Sequence, residues 1–167
     1  SAIDRPVRMV ADLIEDAGIR RERTARHYNL GNDLFSAMLD ETMAYSSAIF
    51  DDPGQSLADA QTEKFDRVCR RLRLEPGDRL LEIGTGWGTF AMHAAEHYGC
   101  EVTTTTISRR QAELARERIA EAGLSDRVTV VERDFAELSG SYNKLASIEM
   151  IETVGWRRFD EFFATCD

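Results

Sequence analysis

A glycine-rich turn between a strand and a helix constrains this chain more than any other feature. The apolar run Arg79 to Ile83 predicts a buried strand, and the segment Glu82-Ile-Gly84-Thr-Gly86-Trp-Gly88 follows it directly. Glycine permits positive φ and lets the backbone approach a ligand closely. The start of the following helix adds N–H groups without intrahelical partners. We therefore expect a ligand-binding crevice here rather than a tight connection that binds nothing.

Strands and helices alternate regularly from Ser56 onward. Strands are predicted at 79–83, 101–106, 128–131 and 144–150, and helices around 65–72, 87–98, 108–122 and 156–166. This alternation predicts an α/β fold with a parallel sheet. Right-handed crossovers place the first strand centrally, the second and third on one side, and the fourth on the other. The glycine turn then lies where the strand order reverses, which is where such sheets bind ligands.

The first 55 residues have a different character. They begin with a helical stripe and continue through an irregular segment rich in aromatic residues, which ends at the turn Asp51-Asp52-Pro53-Gly54. We therefore divide the chain into a helical and irregular N-terminal segment, residues 1–55, and a sheet domain, residues 56–167. Four strands are few for such a sheet, so we expect it to be truncated at its C-terminal side. The unfinished edge favours pairing with a second copy as a homo-oligomer.

Charge and composition exclude some functions. The 21 basic and 30 acidic residues give a net charge of -9, which argues against nucleic-acid binding. The longest stretch without charged residues, 83–95, is too short to span a bilayer, so membrane contact would be peripheral. Three widely spaced cysteines lack metal-ligand spacing and predict reduced thiols without a metal site. We expect a cytoplasmic protein, in peripheral contact with the inner face of the membrane.

The glycine spacing distinguishes between cofactors. A dinucleotide fingerprint G-x-G-x-x-G needs glycine at position 89, which is Thr89. The observed E-x-G-x-G-x-G resembles motif I of class I S-adenosylmethionine-dependent methyltransferases. In that family the acidic residue, here Glu82, organises the loop near the methionine moiety of the cofactor. Gly84, Gly86 and Gly88 then leave room for that cofactor.

Polar residues after the second and third strands are further cofactor-binding candidates. Thr106 and Gln111 have the donors and acceptors that ribose hydroxyls need, although Gln111 also fits a helix-capping box with Ser108. Arg133 and Asp134 follow the third strand. Asp134 either accepts a hydrogen bond from the adenine amino group or is a solvated loop acid.

Several short motifs together resemble the cyclopropane fatty acid synthase family, which includes the mycolic acid methyltransferases. They are His27-Tyr-Asn-Leu-Gly-Asn-Asp33, Thr42-Met-Ala-Tyr-Ser46, Ala60-Gln-Thr-Glu-Lys64, Glu82–Gly88, Thr106-Ile-Ser-Arg-Arg-Gln111 and Ser147-Ile-Glu-Met-Ile-Glu-Thr-Val-Gly155. The resemblance covers positions 27 to about 163 and implies a Rossmann-like methyltransferase fold. It also implies transfer of the S-adenosylmethionine methyl group to the cis double bond of an unsaturated phospholipid acyl chain. A carbocation then yields a cyclopropane or a methyl(ene) branch, with bicarbonate as the base.

The resemblance also assigns residues to roles by motif position. Tyr45 and Ser46 match residues that touch the methionine end of the cofactor. The segments 80–88 and 106–111 match the cofactor loop and the ribose region, and Arg133 and Asp134 match the adenine region. Glu152 matches a glutamate that binds bicarbonate, although an acid there also suits a helix start. Ser47 replaces the family's cysteine beside the bicarbonate.

Several alternatives stay open on the sequence alone. The family's other bicarbonate ligands, a histidine and a tyrosine, lie beyond position 167, so we expect the chain to be inactive alone. A methyltransferase for a soluble small molecule, or a non-catalytic S-adenosylmethionine-binding domain, fits the same cofactor motifs. His27 and Tyr28 either form a lid over the cofactor or pack within their loop. For Trp87 we favour a place in the core over a contact with the cofactor. A cluster of four arginines suits either anionic lipid or, more commonly, a solvated helix face; these are Arg20, Arg21, Arg23 and Arg26.

Overall fold

The computed structural model describes residues 32–167, in which four parallel strands form one sheet. The strands are β1 (Arg79–Ile83), β2 (Glu101–Thr106), β3 (Val128–Glu132) and β4 (Lys144–Ala146). The helices are α1 (Asn32–Met38), α2 (Leu57–Leu72), α3 (Thr89–Tyr98), α4 (Arg109–Glu121), α5 (Ile151–Val154) and α6 (Phe159–Cys166). Two 3₁₀ turns, Phe135–Glu137 and Trp156–Arg158, complete the elements. The possible lid residues His27 and Tyr28 and the cluster of four arginines lie outside the described residues.

The strand order confirms the predicted topology. The sheet runs β3-β2-β1-β4, with all neighbours parallel and β1 and β2 central. At the end of β1 the chain stays close to β2, because the backbone N–H groups of Gly84 and Thr85 both donate to the Thr105 carbonyl at 3.0 Å. These bonds fix the direction in which the glycine turn leaves the sheet.

The sheet carries a hydrophobic core on each face, because side chains alternate along a strand. Leu80 of β1 packs with apolar residues of α2, α3 and α4. Leu81 and Ile83 point to the other face and pack with Phe162 of α6. Both faces of β1 are thus covered, as expected for a central parallel strand.

Local signals set the helix ends. Ser56 caps α2 by accepting a hydrogen bond from the Asp59 N–H at 3.1 Å, and α3 ends at Gly99 with φ 69°, as predicted. Helix α2 ends at Leu72, as predicted. Arg73 adopts a left-handed conformation and ends the helix before Pro76-Gly77.

The C-terminal part differs from the prediction. Strand β4 ends at Ala146 rather than at 150, because the Ser147 hydroxyl bonds to the Ile83 carbonyl and the backbone turns at Glu149, with φ 47°. The single helix predicted at 156–166 is a 3₁₀ turn followed by α6. Phe162 is buried, whereas Phe163 is 56% exposed.

Two further findings concern membranes and thiols. Within residues 32–167, no helix is both long and apolar enough to span a membrane. All three cysteines are free, and burial raises the pKa of the Cys69 thiol to about 12.

Candidate active site

A cleft opens at the carboxyl ends of the strands, as the topology predicts. Its walls include residues from segments 43–46, 82–90, 105–111, 133–135 and 148–158. The central strands therefore supply the floor, and segments far apart in sequence close the sides. The cleft brings together nine of the twelve candidate site residues; the three that do not line it are Ser47, Gly88 and Glu152.

The nine residues that line the cleft are Tyr45, Ser46, Glu82, Gly84, Gly86, Thr106, Gln111, Arg133 and Asp134. Ser47 is connected to the cleft only through its backbone N–H, which donates to Glu149, a residue that does line it. Sequence reasoning therefore found residues in four of the five wall segments, all except 148–158, although it did not find how these residues are paired.

The three glycines of the turn all have positive φ, but for different structural reasons. A Cβ atom on Gly84 would lie 3.1 Å from the Met150 Cγ, and one on Gly88 would lie 3.3 Å from the Ala115 Cβ. A Cβ on Gly86, where φ is 52°, would meet nothing within 4 Å. Gly84 and Gly88 therefore allow close packing, while Gly86 leaves open space beside the cleft.

Glu82 is a buried acid at the end of β1. Only 3% of it is exposed, and its Oε2 accepts a hydrogen bond from the Thr104 hydroxyl at 2.5 Å. Burial raises the pKa of Glu82 to about 8, although the bond from Thr104 acts in the opposite direction. A cationic group entering the cleft would favour the ionised carboxylate.

Thr106 and Gln111 contact each other at the start of α4. The Thr106 hydroxyl donates to the Gln111 Oε1 at 2.9 Å and accepts from the Ser108 N–H at 3.1 Å. Ser108 caps the helix by accepting from the Gln111 N–H at 3.4 Å. Only this half of the predicted capping box forms, because the Gln111 side chain bonds to Thr106 instead. That bond uses the carbonyl end of the Gln111 amide and not its NH₂ end.

Asp134 is paired, which corrects the alternative of a solvated loop acid. Its two oxygens accept hydrogen bonds from the Arg158 guanidinium at 2.7 and 3.2 Å, and Oδ1 also caps the Ala136 N–H at 3.1 Å. The bond to Asp134 holds the pKa of Arg158 above its ordinary value. Sequence reasoning missed Arg158, because no motif links it to a residue 24 positions earlier.

Tyr45 and Ser46 form the N-terminal wall of the cleft. The Tyr45 ring packs edge-on against Phe35, with 5.4 Å between centroids. The Ser46 hydroxyl accepts a hydrogen bond from the Lys64 ammonium, and its carbonyl accepts one from the Gln61 Nε2 at 2.8 Å. Trp87 is buried against Phe35, as the preference for core packing predicts, and it also lines the cleft.

The structure brings Glu149, rather than Glu152, to the cleft. Glu149 Oε1 accepts a hydrogen bond from the Ser47 N–H at 2.9 Å. Glu152 has an exposed side chain on α5 and is not among the described residues that line the cleft. Sequence reasoning missed Glu149, although the pair of glutamates in Ser147-Ile-Glu-Met-Ile-Glu152 offered two candidates three positions apart.

Comparison with known proteins identifies the family. The mycolic acid cyclopropane synthetase family matches residues 17–167. Tuberculostearic acid methyltransferase UfaA1 of Mycobacterium tuberculosis is 42% identical over 154 residues, which cover 88% of this chain and 36% of the relative. The chain belongs to the mycolic acid cyclopropane synthetase family. The cyclopropane-fatty-acyl-phospholipid synthase of Escherichia coli (strain K12) is also 42% identical, over 141 residues, which cover 84% of this chain and 36% of the relative. The chain thus spans about a third of the length of these relatives.

Solved structures of this family have the same fold. The crystal structure of mycolic acid cyclopropane synthase CmaA1 complexed with SAH and CTAB matches with a TM-score of 0.83 and 32% identity. The cyclopropane synthase MmaA2 from Mycobacterium tuberculosis matches with a TM-score of 0.84 and 32% identity. Each match covers 87% of this chain and 51% of the other. The predicted α/β fold, resembling that of S-adenosylmethionine-dependent methyltransferases, is confirmed.

Proposed function

We propose that this chain binds S-adenosylmethionine as part of an enzyme that methylates the cis double bond of an unsaturated phospholipid acyl chain. The product is a cyclopropane or a methyl(ene) branch. One observation carries the proposal: the glycine turn opens a cleft in a chain that is 42% identical to a cyclopropane-fatty-acyl-phospholipid synthase. The tuberculostearic acid methyltransferase supports the same class of acyl substrate.

The residues of the cleft fit the proposed cofactor. Gly86 leaves space at the turn, and the Glu82 carboxyl suits the cationic amino group of the methionine moiety. Thr106 and Gln111 supply hydrogen-bonding groups for the ribose, and we place the adenine near Arg133 and Asp134. When bound, the cofactor supplies an activated methyl group on a sulfonium.

The protein's part in such chemistry is alignment and exclusion of water, because an alkene is a poor nucleophile. Apolar side chains line much of the cleft for this purpose, including Phe65, Phe90, Ile148 and Met150. A bound sulfonium would supply its methyl group to the double bond and become a neutral thioether, so the positive charge would come to lie on the acyl chain. A base would then have to accept a proton from the added methyl group as the second C–C bond of the ring forms.

Bicarbonate does not fit the described residues in the way that the family resemblance implies. The Ser47 N–H already bonds to the Glu149 carboxylate, and Glu152 does not line the cleft. We therefore derive no step through bicarbonate.

Titration calorimetry with S-adenosylhomocysteine tests the cofactor proposal. We expect the folded chain to bind one equivalent, and the absence of binding would overturn the proposal.

Radiolabelled methyl transfer to vesicles of unsaturated phospholipid tests the substrate class. We propose that this chain alone binds the cofactor without turnover, so methyl incorporation by it would contradict that part. Co-sedimentation with the same vesicles tests the proposed peripheral membrane contact.

A further inference from the structure

A buried polar cluster lies directly behind the cleft wall at Ser46. Lys64 and Gln61 are one turn apart on α2 and are only 5% and 2% exposed. The Lys64 Nζ donates to the Ser46 Oγ and to the Gln61 Oε1, the latter at 2.5 Å. Ser46 lines the cleft, whereas Lys64 does not. Any effect of Lys64 on a ligand must therefore pass through Ser46.

The charge of Lys64 survives its burial. Burial lowers the pKa of this amine to about 8, while the carboxylates of Glu149 and Asp40 oppose the change. At neutral pH the group is therefore mostly an ammonium. An ammonium in such a place is costly unless its hydrogen bonds and neighbouring charges compensate for lost solvation. A methionine at this position would avoid that cost but could donate no hydrogen bond to Ser46.

The bond from Lys64 determines what Ser46 offers to the cleft. A hydroxyl has one donor and two acceptor positions, and an ammonium can only donate. Lys64 therefore occupies a lone pair of the Ser46 Oγ, so the Ser46 O–H is left to donate in another direction. Since Ser46 lines the cleft, the wall presents a hydroxyl donor with a positive charge behind it. That arrangement suits a carboxylate.

We propose that Lys64 is a positioning residue that acts through Ser46 to recognise the carboxylate at the amino-acid end of S-adenosylmethionine. The proposal rests on the proposed function and names the group that this wall of the cleft binds. Gln61 supports the same loop by donating to the carbonyls of Ser46 and Ala44, at 2.8 and 3.4 Å. The loop is thus held by one neutral and one charged side chain, and only the charged one selects for an anion.

A pair of ligands separates carboxylate recognition from support of the loop. S-adenosylhomocysteine carries the amino-acid end, and 5′-methylthioadenosine lacks it. We expect K64M to weaken S-adenosylhomocysteine binding by roughly tenfold or more, as loss of a charged hydrogen bond would. Methylthioadenosine binding should change by less than about twofold. S46A should show the same selectivity, and the double variant K64M/S46A should lose little more than either single one.

Lys144 provides a matched control, because it is the other lysine of the chain. Its Nζ donates to the carbonyls of Leu72 and Arg73 at the end of α2, and it does not line the cleft. K144M should lower stability while both ligand affinities stay unchanged. Equal weakening of both ligands by K64M would overturn the proposal and leave Lys64 a merely structural role. Unchanged binding of S-adenosylhomocysteine would overturn it as well.

The remaining outcomes are also informative. If K64M does not fold, K64Q, which keeps a hydrogen-bond donor without the charge, replaces it, and it must lose affinity for S-adenosylhomocysteine but not for methylthioadenosine. If S46A does not show that selectivity, the proposal is wrong. If the unmodified chain binds neither ligand, the proposed function fails with it. Binding of both ligands with no selective loss in any variant would overturn only the role of Lys64.

Discussion

The motif identifies Glu82 as a cofactor-binding candidate, but the charge state of its carboxyl group depends on contacts that the motif does not contain. The sequence predicted that Glu82 lies at the end of the first strand, beside the cofactor. Its hydrogen bond from Thr104 and its complete burial come from the neighbouring strand. Those contacts depend on the register of β1 and β2, which a single sequence does not specify.

The raised pKa of Glu82 predicts a pH-dependent stability. Burial raises this pKa from 4.5 to about 8, so between these values the folded chain holds a proton that the unfolded chain has lost. The contribution of this group to the free energy of unfolding therefore falls as pH rises through that window. E82Q lacks the titration and should gain stability relative to the unmodified chain as pH rises from about 5 to about 8.

Urea unfolding across this pH range, without ligand, measures the difference between the two proteins. E152Q is the control for removal of a carboxylate elsewhere in the chain, because Glu152 is exposed and lies outside the cleft wall. Parallel profiles for E82Q and the unmodified chain would show that Glu82 is ionised throughout.

At the scale of elements, the sequence predicted helix ends that depend on nearby residues, but it did not predict features that depend on long-range contacts. The start of α4 after Ser108 and the end of α3 before Gly99 depend on nearby residues and agree with the predicted helices 108–122 and 87–98. The early end of β4 depends on the bond from Ser147 to Ile83, 64 positions away. Because the chain turns after β4, Glu149 rather than Glu152 reaches the cleft. A sequence pattern that extends the strand to 150 has no information about that turn.

Alanine substitution of Gly86 tests the role of the glycine turn, and Gly123 provides a matched control outside the cleft. Gly86 and Gly123 have φ of 52° and 70°, and an added Cβ meets nothing within 4 Å at either position. G86A and G123A should each lower the free energy of unfolding by about 1 kcal/mol, because alanine pays a similar penalty in the left-handed region. Only G86A should weaken S-adenosylhomocysteine binding, because Gly86 lines the cleft and Gly123 does not.

Calorimetry with both variants, alongside denaturant unfolding, checks this prediction. Equal loss of affinity in the two variants would mean that backbone strain, and not the space at Gly86, controls binding.

At the scale of the whole molecule, residues on both sides of the predicted boundary at 55 form one structure. Phe35 packs on Trp87 with 4.8 Å between ring centroids. Arg118 donates to the carbonyls of Trp87 and Thr42, at 2.9 and 3.2 Å. These contacts join residues that are far apart in sequence. The boundary at 55 was drawn from composition, which carries no information about such contacts. The division between residues 1–55 and 56–167 stays a prediction, and the contacts argue that residues 35–47 unfold together with the sheet.

A tryptophan variant tests whether they do. The chain has two tryptophans, of which Trp156 is 62% exposed and Trp87 is buried beneath Phe35. In W156F, fluorescence reports on Trp87 alone, and its thermal transition should coincide with the one seen by circular dichroism. Ligand in hundredfold excess over its Kd should stabilise the fold by about 2.7 kcal/mol and raise both midpoints by roughly 5–10 °C. An earlier fluorescence transition would instead show that the N-terminal segment detaches before the sheet unfolds, as a separate lid would.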